Sequence, residues 1–290
     1  VFDQLLHVAL PVFGVVAVGW VFARLRAVDL ASLTDVILYL TAPALVFHSL
    51  ASRSLDPAGM LGVGGGVIVQ SLVCGGAAWL VFRLLRVEGR GLYLAAMFPN
   101  TGNLGLPLAL FAFGQEGLAA GVVVFTSITL IHYTLGLMIV SGSPHPGEAL
   151  RMPLVHAAVL GVVAGLTGVA PPGPVMRAIE LLGAAAVPLM LLSLGIRLRS
   201  VRLRRPGLAL LAVVLRVGPG LGAALVWVAL TGLEGPERGV VLLTGVLPAA
   251  VMNFVLAEAY DQQAEDVAGA ILLGTALSVI LIPVLLASLA

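Results

Sequence analysis

Apolar residues run through this chain in long blocks, and the polar residues that interrupt them come in groups. A block of about 20 apolar residues can cross roughly 30 Å of hydrocarbon as a helix. Ten blocks are long enough, at about 4–24, 31–51, 58–83, 91–113, 117–140, 152–171, 174–196, 206–231, 236–258 and 265–288, here called spans 1 to 10. The pattern predicts an all-α membrane protein of ten transmembrane helices. Only Pro171, Pro172, Gly173 and Pro174 separate spans 6 and 7; they fit poorly in a continuous helix and predict a tight turn. The first block is too long for a signal peptide, lacks a basic leading region, and is expected to be a span.

Span 4 contains the most informative interruption, Met97-Phe-Pro-Asn-Thr-Gly-Asn-Leu-Gly-Leu-Pro107. Pro99 and Pro107 remove helical hydrogen bonds, and Gly102 and Gly105 loosen the turns between them. Broken backbone at membrane depth is tolerated only where protein or a water-filled cavity covers it. The freed backbone groups, with Asn100, Thr101 and Asn103, predict a small polar site. Span 9 carries a counterpart in Pro248 and Asn253, and spans 2 and 7 each place an acidic residue eight positions before a proline, Asp35 before Pro43 and Glu180 before Pro188. Both pairs are five spans apart. Five is odd, so residues 1–140 and 152–290 are expected to be five-helix repeats inverted relative to each other, joined by a linker at 141–151. Inverted repeats with broken helices in matching places point to alternating access around a midplane site.

Composition agrees: 60% of the 290 residues are hydrophobic and 10% are charged, far below the quarter or so usual in soluble domains. Mean hydropathy is +1.12. All fifteen basic residues are arginine. Eleven fall in the loops after the odd-numbered spans, including Arg197, Arg199, Arg202, Arg204 and Arg205 after span 7, while Arg53, Arg177 and Arg238 fall on the other side. The positive-inside rule makes the linker cytoplasmic and puts both termini outside the cytoplasm, in the plasma (inner) membrane of a bacterium or archaeon. The basic loops suit anionic lipids rather than nucleic acid. Cys74 is alone, which excludes an internal disulfide and predicts a small packing residue.

Four stretches carry a family resemblance: Tyr39-Leu-Thr-Ala-Pro43-Ala-Leu-Val-Phe47; Phe98 to Pro107, followed by Phe113-Gly114; Val187-Pro188-Leu-Met-Leu-Leu-Ser-Leu-Gly195; and Pro248-Ala-Ala-Val-Met-Asn253-Phe-Val-Leu-Ala257. Their order and content resemble the auxin efflux carrier family of membrane transporters. The resemblance implies a fold related to that of bile-acid:sodium symporters, with spans 4 and 9 broken and crossing. It further implies a panel domain of spans 1, 2, 6 and 7 and a core domain of spans 3, 4, 5, 8, 9 and 10. The substrates it implies are small organic anions. The long cytoplasmic loop of the large plant carriers has no counterpart here, so plant-type auxin specificity does not carry over.

Asn100, Thr101, Asn103 and Asn253 are candidate substrate contacts and equally fit caps for broken half-helices; the two roles are compatible. An anion suits half-helix N-termini, whose amides and positive dipole ends would face it. Arg216, the one arginine near the centre of a span, either compensates a substrate anion, acts at a gate, pairs with Glu258 or Asp261, or snorkels to an interface. Glu258 is a candidate proton or sodium ligand or a mark of the water boundary, and Asp35 and Glu180 are gates or caps. His132 is a candidate proton carrier or a neutral interhelix contact. Pro99, Gly102, Pro107, Pro248, Pro43 and Pro188 are expected to break or bend their helices. The histidines lack metal-ligand spacing, so no cofactor is expected; a coupling ion would be a proton or sodium, the latter near Asn103 and Glu258.

The sequence thus predicts a secondary active transporter of small organic carboxylates, working by proton- or sodium-coupled symport, and a homodimer is a compatible assembly. A passive or potential-driven anion uniporter is the alternative. An intramembrane enzyme is a distant third, because no paired catalytic carboxylates occur and Ser193 and Ser278 lack an evident base in their own segments.

Overall fold

A computed structural model describes residues 8–52, 57–144, 147–169 and 171–289. Arg53, used above to read the loops, lies outside the described residues. The chain is helical almost throughout. In order, the helices are α1 (Leu10–Leu25), α2 (Leu30–Val36), α3 (Ala42–Ala51), α4 (Pro57–Leu85), α5 (Gly91–Met97), α6 (Leu106–Ile131), α7 (Leu137–Ser141), α8 (Pro153–Thr167), α9 (Gly173–Ala184), α10 (Ala186–Ser200), α11 (Pro206–Thr231), α12 (Gly235–Val246), α13 (Val251–Ala259) and α14 (Ala264–Leu289). Extended pairing among the described residues is confined to one antiparallel bridge, between Pro99 and Ala249.

Six helical runs are long and apolar enough to cross a membrane unaided: Leu30–Ala51, Pro57–Leu85, Thr101–Ser141, Gly173–Ser200, Pro206–Thr231 and Ala264–Leu289. This differs from the ten predicted spans for identifiable reasons. Spans 4 and 9 are each split by non-helical backbone at their prolines, leaving pieces of 7 residues (α5), 12 (α12) and 9 (α13). The second half of span 4 meets span 5 at Gly114, whose non-helical backbone (φ +65°) kinks α6 into two helical pieces. Glycine reaches that conformation without a Cβ penalty. Leu61, Leu181 and Leu230 are 76–79% exposed, as expected of side chains facing lipid rather than water.

Not every proline breaks its helix. Pro43 follows a π-helical turn, Ile37–Thr41, in which the amide of Ala42 reaches back to the carbonyl of Ile37, and the helix continues into α3. Pro107 sits in the first turn of α6, directly after the π-helical turn Thr101–Gly105, where an absent N–H costs little. The break expected at each is therefore a bulge. Pro188 coincides with the joint between α9 and α10 at Ala185, where the helix bends and continues.

The helices pack in two groups. In one, α1 lies along α10, and α3 packs on α8 and α9. In the other, α11 packs on α4, α12 and α14, while α6 covers α4 and α12. The groups meet where α10 touches the π-helical turn Thr101–Gly105. The α1–α10 contact is backbone on backbone: a Cβ on Gly195 would stand 2.0 Å from the Val16 carbonyl oxygen, and one on Gly19 would stand 2.4 Å from that of Leu192. Such crowding permits only glycine, as in close helix pairs in membranes.

Gly195→Val should therefore force α1 and α10 apart at a cost of about 1–3 kcal/mol or more. The expected result is a lower thermal unfolding midpoint in detergent. Gly14→Ala, where a Cβ meets nothing within 4 Å, should leave the midpoint unchanged.

Candidate functional site

Proline at 99 and 248 leaves each broken segment with unpaired amides and carbonyls, and the two segments satisfy each other. The amide of Asn100 donates to the Pro248 carbonyl at 2.7 Å, and that of Ala250 donates to the Phe98 carbonyl at 3.0 Å. The pairing is centred on Pro99 opposite Ala249, beside the second proline of the repeat match, Pro248. Four half-helix ends converge there: the C-termini of α5 and α12, the N-terminus of α13, and the π-helical turn that opens α6.

The asparagines serve this backbone. Asn253, fully buried, donates its side-chain amide to the Phe98 carbonyl at 3.0 Å. Asn100 caps the turn that follows, its Oδ1 accepting the Asn103 amide at 3.1 Å. The Nδ2 of Asn100 and the Oδ1 of Asn253 are buried and find no partner among the described residues. The Asn103 amide group reaches Ser193 Oγ on α10 at 3.4 Å, and that hydroxyl donates to the Met190 carbonyl. Asn103 thus spans the two packing groups.

A cavity of about 520 Å³ lies against this crossing. Pro99, Asn100, Thr101, Gly102 and Asn103 form one wall, and His132, Asp35 and Glu258 also line it. His132, 4% exposed, stacks on Phe98 with ring centroids 4.4 Å apart, and its Nε2 has no partner among the described residues. Asp35 and Glu258 are exposed at the rim. Glu180 is not on the cavity; it faces outward near His48, with the ring Nε2 4.0 Å from the carboxylate.

Arg216 does not line the cavity either. It lies behind the crossing, 1% exposed, among backbone carbonyls rather than beside Glu258 or Asp261. Sequence reasoning missed two residues that do line the cavity, Ser193 and Arg197. The guanidinium of Arg197 sits 4.1 Å from the centre of the Phe254 ring. It had been counted with the loop arginines, yet it stands one helical turn beyond Ser193 and so on the same face of α10. Of its basic neighbours, Arg204 and Arg205 pair with Glu265 and Asp266, the Arg204 contact being 2.7 Å. The Asp266 carboxylate raises the pKa of Arg205 through their side-chain hydrogen bond.

Among the described residues no three His, Cys, Asp or Glu side chains cluster as a metal site would require. The second half of the chain, residues 145–286, matches the family model described as "Membrane transport protein". Over 94% of its length the chain is 29% identical to a protein named "Uncharacterized transporter" from Methanothermobacter thermautotrophicus, covering 95% of it. A similarly named transporter from Methanocaldococcus jannaschii is 26% identical over 96% of both chains. A protein of Rhizobium meliloti named "Putative malonate transporter" is 29% identical over 95% of this chain and 93% of its own. The second half thus matches the membrane transport protein family model, and the similarity to proteins named as transporters runs along almost the whole chain.

Proposed function

We propose that the protein is a secondary carrier of small organic carboxylates that works by alternating access. The observation that carries this reading is the mutual closure of the two breaks beside a cavity. Asn103 and Asn253 each stand four residues beyond the bridged pair Pro99 and Ala249, as an inverted repeat requires. In this reading the chain crosses the membrane ten times, with α5 and the first part of α6 as one broken span and α12 with α13 as the other. The group containing α1, α2, α3, α8, α9 and α10 is the panel; the group containing α4 to α7 and α11 to α14 is the core.

An anionic substrate fits the site without needing many charged side chains. The turn at Thr101 presents backbone amides and a positive helix end, and such ends attract carboxylates. Asn100, with its unpartnered amide nitrogen, and Asn103 supply side-chain donors, and Arg197 supplies a cation at the wall. A volume of about 520 Å³ is in the range of small-molecule sites. The name of the Rhizobium relative supports carboxylates as the class to test first.

The ionisable lining residues Asp35, Arg197 and Glu258 belong to the ends of spans 2, 7 and 9 that the arginine distribution assigns to the cytoplasm. On that topology the cavity faces inward, both termini are outside, and the unpaired loop arginines meet anionic lipid. Transport is coupled to a proton gradient through His132 or Glu258, or to sodium. Uniport driven by membrane potential is the second reading, favoured by a buried Arg216 with no carboxylate partner among the described residues.

Purified protein in liposomes should show saturable flux of one or more labelled mono- or dicarboxylates, with pH, sodium and potential varied separately. Asn103→Ala should lower that flux at least tenfold. Normal flux through both Asn103→Ala and Asn253→Ala would remove the substrate site from the crossing. Arg197→Gln should raise KM about tenfold with kcat little changed, the mark of a lost binding contact; an unchanged KM would place Arg197 outside the substrate's path.

A further inference from the structure

The least expected side chain in the molecule is Arg216. It projects from α11, which is not one of the broken spans, and ends between the two half-helices that terminate at the crossing. Its Nη1 donates to the carbonyl of Met97, the last residue of α5, at 3.1 Å. Its Nη2 donates to the carbonyl of Thr244, in the last turn of α12, also at 3.1 Å. The Cys74 thiol completes the seat: Nη1 approaches its sulfur at 3.3 Å, while the thiol is 3.4 Å from Arg216's own carbonyl. Space for the guanidinium depends on Gly220, where a Cβ would stand 2.6 Å from Nη2. No carboxylate reaches ion-pair distance of Arg216 among the described residues.

Charge explains the arrangement. Each helix C-terminus carries roughly half a negative charge, together with carbonyls that lack intrahelical donors. Two such ends meeting away from water amount to about one negative charge needing a partner. In carriers with discontinuous helices, half-helix C-termini and unwound carbonyls are a usual place for a coupling cation to be coordinated. Here a guanidinium already bonds one carbonyl from each end. The opposite ends, at Thr101 and Val251, keep their positive character for an anion.

We propose that Arg216 is a built-in cation of the crossing: it balances the two half-helix C-termini permanently, so that anion binding and transport require no sodium or other monovalent metal ion. This rests on the carrier reading above and narrows it, leaving protons or membrane potential as the driving force. Arg216 acts through the two half-helices it holds and is a positioning residue rather than a substrate contact.

Two measurements test it on the full-length protein. The first is thermal unfolding in detergent, with sodium chloride exchanged for choline chloride at constant ionic strength. Wild type and Arg216→Lys should melt at the same temperature in both salts. Arg216→Met, which keeps much of the length and loses the charge, should melt lower and regain part of the loss with millimolar sodium or methylguanidinium. The second is carboxylate flux in liposomes at clamped pH and potential, where replacing sodium with choline should change the wild-type rate less than twofold, and Arg216→Lys should keep far more flux than Arg216→Met. A wild type that needs sodium in either assay overturns the proposal, as does an Arg216→Met protein as stable as wild type in every salt. If Arg216→Met fails to fold, the sodium response of the wild type and the retention of flux by Arg216→Lys still decide. If no carboxylate moves at all, the carrier reading falls, and the melting comparison still judges Arg216.

Discussion

Two backbone hydrogen bonds hold this architecture together: Asn100 to Pro248 and Ala250 to Phe98. A proline in a membrane helix leaves polar backbone exposed to a medium that cannot solvate it, and the penalty for each unsatisfied group is several kcal/mol. Where the helix opens fully, as at Pro99 and Pro248, no turn of its own restores the lost bonds. Two breaks at the same depth can supply each other's donors and acceptors, and the antiparallel contact at Pro99 and Ala249 does this. The solution fixes more than the breaks. Asn253 adds its side-chain bond to Phe98, the Phe98 ring stacks on His132, and the capping of the turn by Asn100 sets the first residues of α6 along the cavity. One pairing thereby positions the wall against which a solute would rest.

The same convergence sorts electrostatic potential without many ionisable groups. Of the four half-helix ends, the two that terminate at Met97 and Val246 are negative and point toward Arg216; the two that begin near Thr101 and Val251 are positive. A chain with only 10% charged residues can therefore present a site of definite sign, because peptide dipoles carry most of it. The arrangement also accounts for a buried arginine without an acidic neighbour. Carbonyl oxygens at helix C-termini are acceptors already lacking donors, so the guanidinium meets a need rather than creating one.

How much of this could be read from the letters depends on whether backbone or side-chain packing carried the information. Pro99 and Pro248 were legible because proline acts on its own backbone wherever it sits. Asn103 and Asn253 followed because they stand close beyond the prolines in an apolar run. The same rule overreached at Pro43 and Pro107, where π-helical turns absorb the missing amide. The backbone pairing of Pro99 with Ala249 was not legible, because a repeat match names counterparts but not the hydrogen bonds that join them. The partners of Arg216 were not legible at all: sequence reasoning looks for a carboxylate, and carbonyls have no letter. Arg197 was hidden differently. Position along the chain placed it with the loop arginines, whereas only the packing of α10 against the crossing puts it on the cavity.

The contact between the two packing groups differs in kind from the contact inside the crossing. Within the crossing, backbone bonds of 2.7 and 3.0 Å are reinforced by a buried asparagine, and breaking them would strand polar groups in apolar surroundings. Between the groups, the Asn103–Ser193 bond is 3.4 Å long and stands at the cavity, where water or a solute can replace either partner. A hydrogen bond with a ready substitute contributes about 1 kcal/mol net or less. The proposed carrier, with a panel and a core that would move against each other, would need this inequality. On that proposal the bonds that shape the site would survive the motion, and those across the boundary would be exchangeable, with Ser193 able to release Asn103 to a substrate. The broken helices belong together on one side of that boundary, and the serine on the other.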